Sequence, residues 1–365
     1  MRYVSGRWCG SLGVAGLMVL ALACAKSGDD TAAQPASIPE ANTGTTAIPE
    51  APAGAAESVP AATDDELVAV RAPTVPLGDG HVLIDLADSF IRYGKAARAK
   101  DAAGRSELWD RMLEAQYPDF FTHVIYRKKQ GDDRARFKAS VIDQFWNEVE
   151  PRLATLEAVN AIAAQRVIAG RAAFTKAFPD FDPQCDFYLT VAFSFKGKVV
   201  DVDGTNVFAL GLEGFESSGP ELDLTIAHEQ FHLHHFRTFS ASGGLYRGVW
   251  TEGLASYAAA VLVPRTKMSE VLGLEGEVIT KMSDLFAELV ADVGKNMDSS
   301  DERLKRAYLG MEPNDTWVPP GAGYYVGLVL VMKLAATNDL ATMAGWDADT
   351  VYKTMKQTLP TLQAP

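Results

Sequence analysis

The sequence predicts an α+β fold that is mainly helical, with a small antiparallel or mixed sheet in the middle of the chain. Three observations lead to this prediction. Residues 82–178 and 268–360 carry apolar residues at three- and four-residue spacing, as amphipathic helices do. Residues 184–212 are instead rich in β-branched and aromatic residues separated by glycine-containing turns, which is typical of strands. Between these regions, residues 223–262 contain two apolar helical runs, and four of the six histidines lie there.

The first 75 residues indicate where in the cell the protein is located, and they say little about its fold. Residues 1–23 have a basic start and an apolar run too short to span a membrane, as in a secretory signal. Cys24 follows directly, as in bacterial lipoproteins, where that cysteine is lipidated. Residues 24–75 are mainly Ala, Pro, Thr, Ser and Glu, which predicts a disordered tether. We therefore expect a lipid anchor on the periplasmic or outer face of a bacterial envelope, with soluble secretion as the alternative.

The net charge argues against nucleic acid as a partner, and the cysteine content argues against an intramolecular disulfide. The chain has 34 basic and 47 acidic residues, and loss of Arg2 and Arg7 with the signal leaves 32 basic residues and a net charge of −15. This balance argues against nucleic acid as a partner. With Cys9 in the signal and Cys24 at the lipid site, Cys185 is left alone and an intramolecular disulfide is not expected. Residues 76–365 are enough for one large domain.

Residues 82–178 are predicted to be mostly helical, starting with the pattern HVLIDLADSFIRYGKAA. Pro151 is expected to break or begin a helix within the longest of their apolar patterns. His81 and His123 lie in this part of the chain at no metal-ligand spacing, so we expect structural or solvated roles for both. This region carries no evident chemistry.

The predicted strands are CDFYLTVAFSF, GKVVDVD and NVFALGLEGF. Residues 201–204 read Asp-Val-Asp-Gly, which favours a hairpin turn. A calcium loop of the EF-hand type is excluded because its twelfth position would be Leu212 instead of Glu. We expect residues 206–212 to form the exposed edge of the sheet.

Residues 228–232 read His-Glu-Gln-Phe-His, within the apolar run LTIAHEQFHLHHF. On a helix, positions i and i+4 lie one turn apart on the same face, so His228 and His232 can reach one metal ion with Glu229 beside them. A zinc ion with three protein ligands and one open position lowers the pKa of a bound water to about 7, and a nearby carboxylate can accept its proton. The pattern therefore predicts a zinc site with His228 and His232 as ligands and Glu229 as general base.

Glu252 is the predicted third ligand. It is the first acidic residue after His232, following nineteen residues without Asp or Glu, and a Ser/Gly-rich stretch lets the chain turn back between them. Thr251 is a plausible N-cap of a second helix that begins at Glu252. A helix N-terminus would favour the ionised carboxylate, which suits a metal ligand.

His235 is one of two further histidines on the same predicted helix. It shares the face of His228, but lies about 10 Å further along the axis, so a contact with a ligand or a packed side chain is expected. It is also the nearest candidate for a fourth ligand if the site were closed and purely structural. His234 points away from this face. The alternative zinc motif HExxHxxGxxH is excluded, since it needs Gly at 235 and His at 238.

The combination of HEQFH, the later W-T-E-G-L-A-S-Y and G-Y-Y-V-G at residues 323–327 resembles the gluzincin metallopeptidases. It is similar to the DUF2268 family of zinc-dependent proteases, whose members carry HExxH, E-G-L-A and G-Y-x-x-G. The resemblance covers roughly residues 180–340 and implies a zincin-like domain in which an edge strand holds an extended substrate. It also implies that Tyr324 donates a hydrogen bond to the oxyanion. Tyr325 is the reserve candidate.

Two functions of different classes remain open at this point. The first is a zinc metallopeptidase that hydrolyses peptides or proteins, with one Zn²⁺ per chain. An endopeptidase is favoured because a GxMEN motif for binding a free amine is not visible. The second is a non-catalytic envelope lipoprotein that uses the same scaffold to bind a peptide or protein partner. The presence of Glu229 favours the enzyme, because a structural site needs no base.

Overall fold

The computed structural model describes residues 63–78, 80–183, 185–264 and 266–365. The predicted signal, Cys24 and the tether up to residue 62 lie outside the described residues. Helices dominate the described part, and a small mixed sheet accompanies them, which confirms the α+β class. A search of these same residues finds no helix long and apolar enough to cross a membrane.

Helices and strands follow one another in the order that the hydrophobic pattern predicts, with a few exceptions. In chain order they are α1 (Asp64–Ala69), β1 (Thr74–Gly78), β2 (His81–Asp85), α2 (Leu86–Ala97), α3 (Ala102–Trp109), α4 (Pro118–Phe120), α5 (Gly131–Gln144), α6 (Leu153–Ala177), β3 (Asp186–Thr190), β4 (Gly197–Val202), β5 (Thr205–Gly211), α7 (Glu221–His235), α8 (Leu245–Leu262), α9 (Met268–Leu272), α10 (Gly276–Asp284), α11 (Phe286–Lys295), α12 (Glu302–Leu309), α13 (Ala322–Leu334), α14 (Leu340–Ala344) and α15 (Ala348–Thr358). Pro151 lies in a 3-10 turn, Glu150–Arg152, directly before α6. The prediction that Pro151 breaks or begins a helix is thus confirmed, because proline fits only the first turn of a helix.

The five strands form one mixed sheet in the order β1-β2-β3-β5-β4. The pairs β1/β2 and β4/β5 are antiparallel, whereas β2/β3 and β3/β5 are parallel. The β4–β5 hairpin turns at Asp203 and Gly204, which both have positive φ as a two-residue turn requires. The hairpin predicted for residues 201–204 is therefore confirmed.

Strand β2 corrects the prediction that the pattern HVLIDLADSFIRYGKAA is helical from its start. The segment HVLID is a strand, and α2 begins only at Leu86. Leu83 and Ile84 are buried and pair with β3 in parallel, where a continuous apolar run can be covered on both faces. Asp85 ends the strand and caps α2, because its side chain accepts the N–H of Asp88.

A helix and the start of a strand lie within the segment that is predicted to be a tether. The tether was expected to reach residue 75, but α1 lies within that range and β1 begins inside it. Val75 of β1 pairs with Leu83 of β2, so this short segment takes part in the sheet. Strand β1 is difficult to recognise in the sequence, because a five-residue strand next to an Ala/Pro-rich segment shows little periodicity of its own.

The prediction that residues 206–212 form the exposed edge of the sheet is wrong. Strand β5 lies between β3 and β4, and its residues 207–211 are buried. At this side of the sheet the edge strand is β4, in which Lys198 and Asp201 are exposed and the other residues are half-buried. Polar residues suit a strand that faces solvent on one side, whereas the apolar run VFALG of β5 suits an interior strand.

A cluster of aromatic side chains packs the N-terminal helices together. Its ring centroids lie 5.2 to 6.3 Å apart, mostly in edge-to-face arrangements. The members are Phe90, Tyr93, Trp109, Phe121 and Phe145. Phe193, in the loop after β3, also contacts this cluster. The helices therefore support the sheet and the loop that leads into β4.

Three helices carry the predicted site. Helix α8 packs on α7 and on α13, and α7 also contacts β4. Residues from α7, α8, α13 and the edge strand consequently meet in one place.

Candidate metal centre

Two histidines of α7 and one glutamate of α8 converge in space. The Nε2 atoms of His228 and His232 lie 3.0 Å apart. Oε2 of Glu252 lies 3.2 Å from His228 Nε2 and 3.3 Å from His232 Nε2. Among the described residues, this is the group of His, Cys, Asp and Glu side chains that can hold a metal ion.

The three atoms have the spacing that a small cation requires. Tetrahedral zinc binds nitrogen and oxygen at about 2.0–2.2 Å, which places neighbouring ligand atoms about 3.3 Å apart. The three observed separations are 3.0, 3.2 and 3.3 Å. Two neutral imidazoles cannot both turn a lone pair toward the same carboxylate oxygen without a cation or proton between them. Two imidazole nitrogens and one carboxylate oxygen are a ligand set that zinc takes in enzymes, so these residues fit the ion.

Glu252 lies in the interior of α8, whereas the sequence predicted that it begins a helix. Helix α8 starts at Leu245 after the N-cap Gly244, and Thr251 is a buried residue within it. The helix N-terminus therefore does not favour the carboxylate. Burial would raise the pKa of Glu252, but the imidazoles of His232 and His228 hold it well below its ordinary value. The ionised ligand is thus stabilised by the neighbouring ligands.

Glu229 lies beside the metal group with only 9% of its surface exposed. Burial raises the pKa of its carboxyl to about 7, and the charge of Glu252 acts in the same direction. Opposing effects come from His228 and from a hydrogen bond donated by the backbone N–H of Val199. A carboxyl of this kind can accept and return a proton near neutral pH.

Gly197 allows β4 to lie directly against this glutamate. A Cβ atom at Gly197 would come within 2.6 Å of Cγ of Glu229 and of Cγ2 of Thr225. Any larger residue would push the edge strand away from α7. The motif and its spacing do not point to Gly197, although a glycine in a strand often marks a close backbone approach.

Tyr324, and not Tyr325, lies at the metal group. Its ring stacks near-parallel to that of His228, with centroids 6.2 Å apart, and its hydroxyl is hydrogen-bonded to Glu252. Burial together with the charges of Glu252 and Glu229 raises its pKa well above 10, so the hydroxyl stays protonated. Tyr325 instead packs edge-on against Phe286 at 5.7 Å.

Two glycines explain how Glu252 and Tyr324 come together. A Cβ atom at Gly253 would lie 2.2 Å from the carbonyl carbon of Gly327, and one at Gly327 would lie 2.2 Å from the carbonyl oxygen of Val249. The backbones of α8 and α13 are therefore in contact at this crossing. Since Gly253 follows Glu252 and Gly327 lies one turn after Tyr324, the crossing sets the relative position of the two functional side chains.

The other histidines are not part of the metal group. His235 is fully buried, with its ring stacked on Phe239 at 4.8 Å, and burial lowers its pKa to about 3. His234 is half-buried against Phe178, with the ring centroids 4.7 Å apart. His81 lies 4.0 Å from Asp186. His123 lies 3.5 Å from Asp203 near the β4–β5 turn.

Comparison with known proteins identifies no relative: no protein-family model, curated protein or solved structure matches this chain. The function proposed below therefore depends on the geometry of the chain's own residues.

Proposed function

We propose that the chain is a zinc-dependent peptidase of the gluzincin type with a zincin-like domain, in line with the resemblance of its three short motifs to those of the DUF2268 family. The observation that carries this proposal is the convergence of His228, His232 and Glu252 on one point, beside the buried carboxyl of Glu229. A structural metal site would need a further ligand and no base. Three ligands with an adjacent proton acceptor are what a hydrolytic site needs.

The residues around the group divide the chemistry of peptide hydrolysis between them. Bound zinc would polarise the carbonyl of the substrate and lower the pKa of a water molecule to about 7. Glu229 accepts a proton from the attacking water and delivers it to the leaving amine when the C–N bond breaks. The hydroxyl hydrogen of Tyr324, which bonds to Glu252 in the free site, turns to the substrate oxygen that gains negative charge.

The free edge of β4 is the proposed binding strand for the substrate. The N–H of Gly211 donates to the carbonyl of Lys196 at 2.8 Å, so by alternation Gly197, Val199 and Asp201 turn their backbone groups away from β5. One of these outward groups, the N–H of Val199, already reaches Glu229. An extended peptide added to this edge would lie next to the metal group, held by backbone hydrogen bonds and accepted with many side chains.

The first experiment compares metal content and hydrolysis in Glu229→Gln and wild type. We expect wild type to bind about one zinc per chain, and Glu229→Gln to keep the metal but lose about 10²–10⁴-fold in kcat. Asp223→Asn is the matched control, since Asp223 lies on α7 and pairs with Arg166 of α6 away from the metal group. Absence of stoichiometric metal in wild type would refute the site.

A second outcome of this experiment would support the other class of function. Wild type that binds zinc, but cleaves none of the peptides in a diverse library, would be a binding protein on a zincin-like scaffold. Peptides blocked at both ends test the proposal of endopeptidase action. Cleavage that requires a free terminus would contradict it.

We also propose that the protein is tethered to the cell envelope through lipid on Cys24. The support is the short apolar signal that ends at Cys24 and the Ala/Pro-rich segment after it. Mass spectrometry of the mature N-terminus is expected to show a diacylated or triacylated cysteine. A Cys24→Ser variant should leave the membrane fraction, and an unmodified N-terminus in wild type would indicate secretion instead.

A further inference from the structure

The loop between β3 and β4, residues 191–196, contains an unusual backbone conformation. Phe193 has a φ of +65°, which is uncommon for a residue other than glycine. Its ring packs against Phe90 at 6.0 Å and Trp109 at 6.1 Å, within the aromatic cluster. A bulky residue keeps such a conformation only where its surroundings impose it.

Glu213 supplies the interactions that hold this loop. Its Oε1 accepts the backbone N–H of Ala192 at 3.0 Å and that of Phe193 at 2.6 Å. Gln144 donates from its Nε2 to the carbonyl of Phe193 at 3.2 Å. The loop is therefore fixed through consecutive peptide groups by one carboxylate, which follows β5, and by one amide at the end of α5.

The second oxygen of Glu213 has no such partner. Within the described residues, Oε2 is buried without a hydrogen bond. Glu213 as a whole is one of the residues that line a cavity of about 180 Å³. Arg152 also lines this cavity, but its guanidinium pairs with Glu216 at 3.2 Å. Burial raises the pKa of Glu213 to about 7, against the N–H groups that lower it.

The loop leads directly to the candidate site. Four residues after Phe193 the chain reaches Gly197, where the strand touches Glu229 with no room for a Cβ atom. Gly211, two residues before Glu213, lies equally close to the loop itself. A Cβ atom at Gly211 would lie 2.5 Å from the carbonyl oxygen of Phe195. A shift of the loop would therefore move the start of β4 relative to the general base.

We propose that Glu213 is a positioning residue that holds the β3–β4 loop through the N–H groups of Ala192 and Phe193, and thereby seats β4 against Glu229. The catalytic part of this inference rests on the proposed peptidase function. The structural part, in which Glu213 holds the β3–β4 loop, is independent of the proposed peptidase function.

The test measures hydrogen exchange of the segment 192–199 in full-length protein carrying Glu213→Ala or Glu213→Gln. We expect Glu213→Ala to speed exchange of this segment by about tenfold or more. Glu213→Gln keeps one carbonyl acceptor and a similar volume, so its exchange should lie between those of Glu213→Ala and wild type. Glu216→Gln is the control, because this exposed residue lies three positions away and contacts Arg152 instead of the loop.

Kinetics and metal content give the second part of the test. Glu213→Ala is expected to raise KM more than it lowers kcat and to leave zinc content unchanged, since the metal ligands lie on α7 and α8. Unchanged exchange in both Glu213 variants would overturn the proposal, even if wild type proved to have no peptidase activity. Faster exchange with unaltered kcat and KM would overturn the link to the site.

Discussion

Glu229 and Glu252 lie in one buried site, yet their pKa values move in opposite directions. Burial raises the pKa of Glu229 to about 7, whereas two imidazoles hold that of Glu252 below its ordinary value. A carboxyl that stays ionised suits a metal ligand, and one that titrates near neutrality suits a proton acceptor. The environment of each residue thus separates the two roles.

Tyr324→Phe tests the proposed oxyanion donor. We expect kcat to fall by about 10²–10³-fold, because one preorganised hydrogen-bond donor is lost. Zinc content and melting temperature should change little. Tyr325→Phe is the matched control, since this neighbour packs on Phe286 instead of the metal group. An equal loss of kcat in Tyr325→Phe would contradict the assignment.

His235→Leu tests the cost of burying a neutral histidine. Burial lowers the pKa of His235 to about 3, so below pH 6.5 the unfolded chain binds a proton that the folded chain does not. Stability is therefore lost as pH falls from 6.5 toward 3. Between pH 6.5 and 5, wild type should lose about 2 kcal/mol more unfolding free energy than His235→Leu. Urea unfolding at the two pH values measures this, and equal losses would contradict it.

At the scale of helices and strands, close backbone contacts position the site. Gly197 brings β4 onto α7, and Gly253 and Gly327 bring α8 onto α13. In each case the missing side chain allows an approach that no other residue permits. Functional side chains are thus placed by residues that have no chemistry of their own.

Gly253→Ala tests the crossing of α8 and α13. The new methyl group would meet backbone atoms at about 2.2–2.5 Å, so we expect destabilisation by roughly 3 kcal/mol or more. Gly294→Ala in α11 is the control, because a Cβ there meets no atom within 4 Å. That control should gain about 0.5–1 kcal/mol from better helix propensity. Thermal unfolding distinguishes the two, and equal effects would contradict the crossing.

The elements also show which parts of the site the sequence could predict. The pairing of His228 with His232 follows from helix periodicity, which is local. Glu252 was selected by its position in an acid-free stretch, but the helix start expected there was wrong because α8 begins at Leu245. The roles of Gly197 and Glu213 were missed, since both depend on contacts between distant segments. The order of the strands also depends on contacts between distant segments. For this reason the sequence does not show that β4, and not β5, forms the edge.

At the scale of the molecule as far as the structure describes it, the sheet and the helices meet at a group of side chains that can bind a metal ion. The α+β class and the order of most elements could be predicted, because long apolar patterns report helices reliably. The mixed pairing of the strands could not be predicted. Strands β2 and β3 are separated by a long helical segment, and β3 and β5 are separated by β4, which lies at the edge of the sheet. The metal-binding motif can thus be recognised in a short stretch of sequence, whereas the contacts that complete the site depend on how distant elements pack.

Removal of zinc tests the metal group through overall stability. A ligand present at 100 to 1,000 times its Kd stabilises the folded state by about 2.7–4.1 kcal/mol. Chelation is therefore expected to lower the melting temperature by roughly 5–15 °C, and added zinc should restore it. His232→Ala should show no such response. Full restoration by calcium or magnesium alone would contradict a zinc site with nitrogen ligands.

The outward edge of β4 can pair with β4 of a second molecule as readily as with a peptide. Natural sheets prevent aggregation at such edges by placing charged side chains on them. Lys198 and Asp201 are the exposed residues of this short strand, and their charges disfavour the burial that self-pairing would bring. Solubility and the proposed binding of a peptide substrate therefore make opposite demands on the same strand. An apolar replacement at either position would favour assembly of the protein with itself.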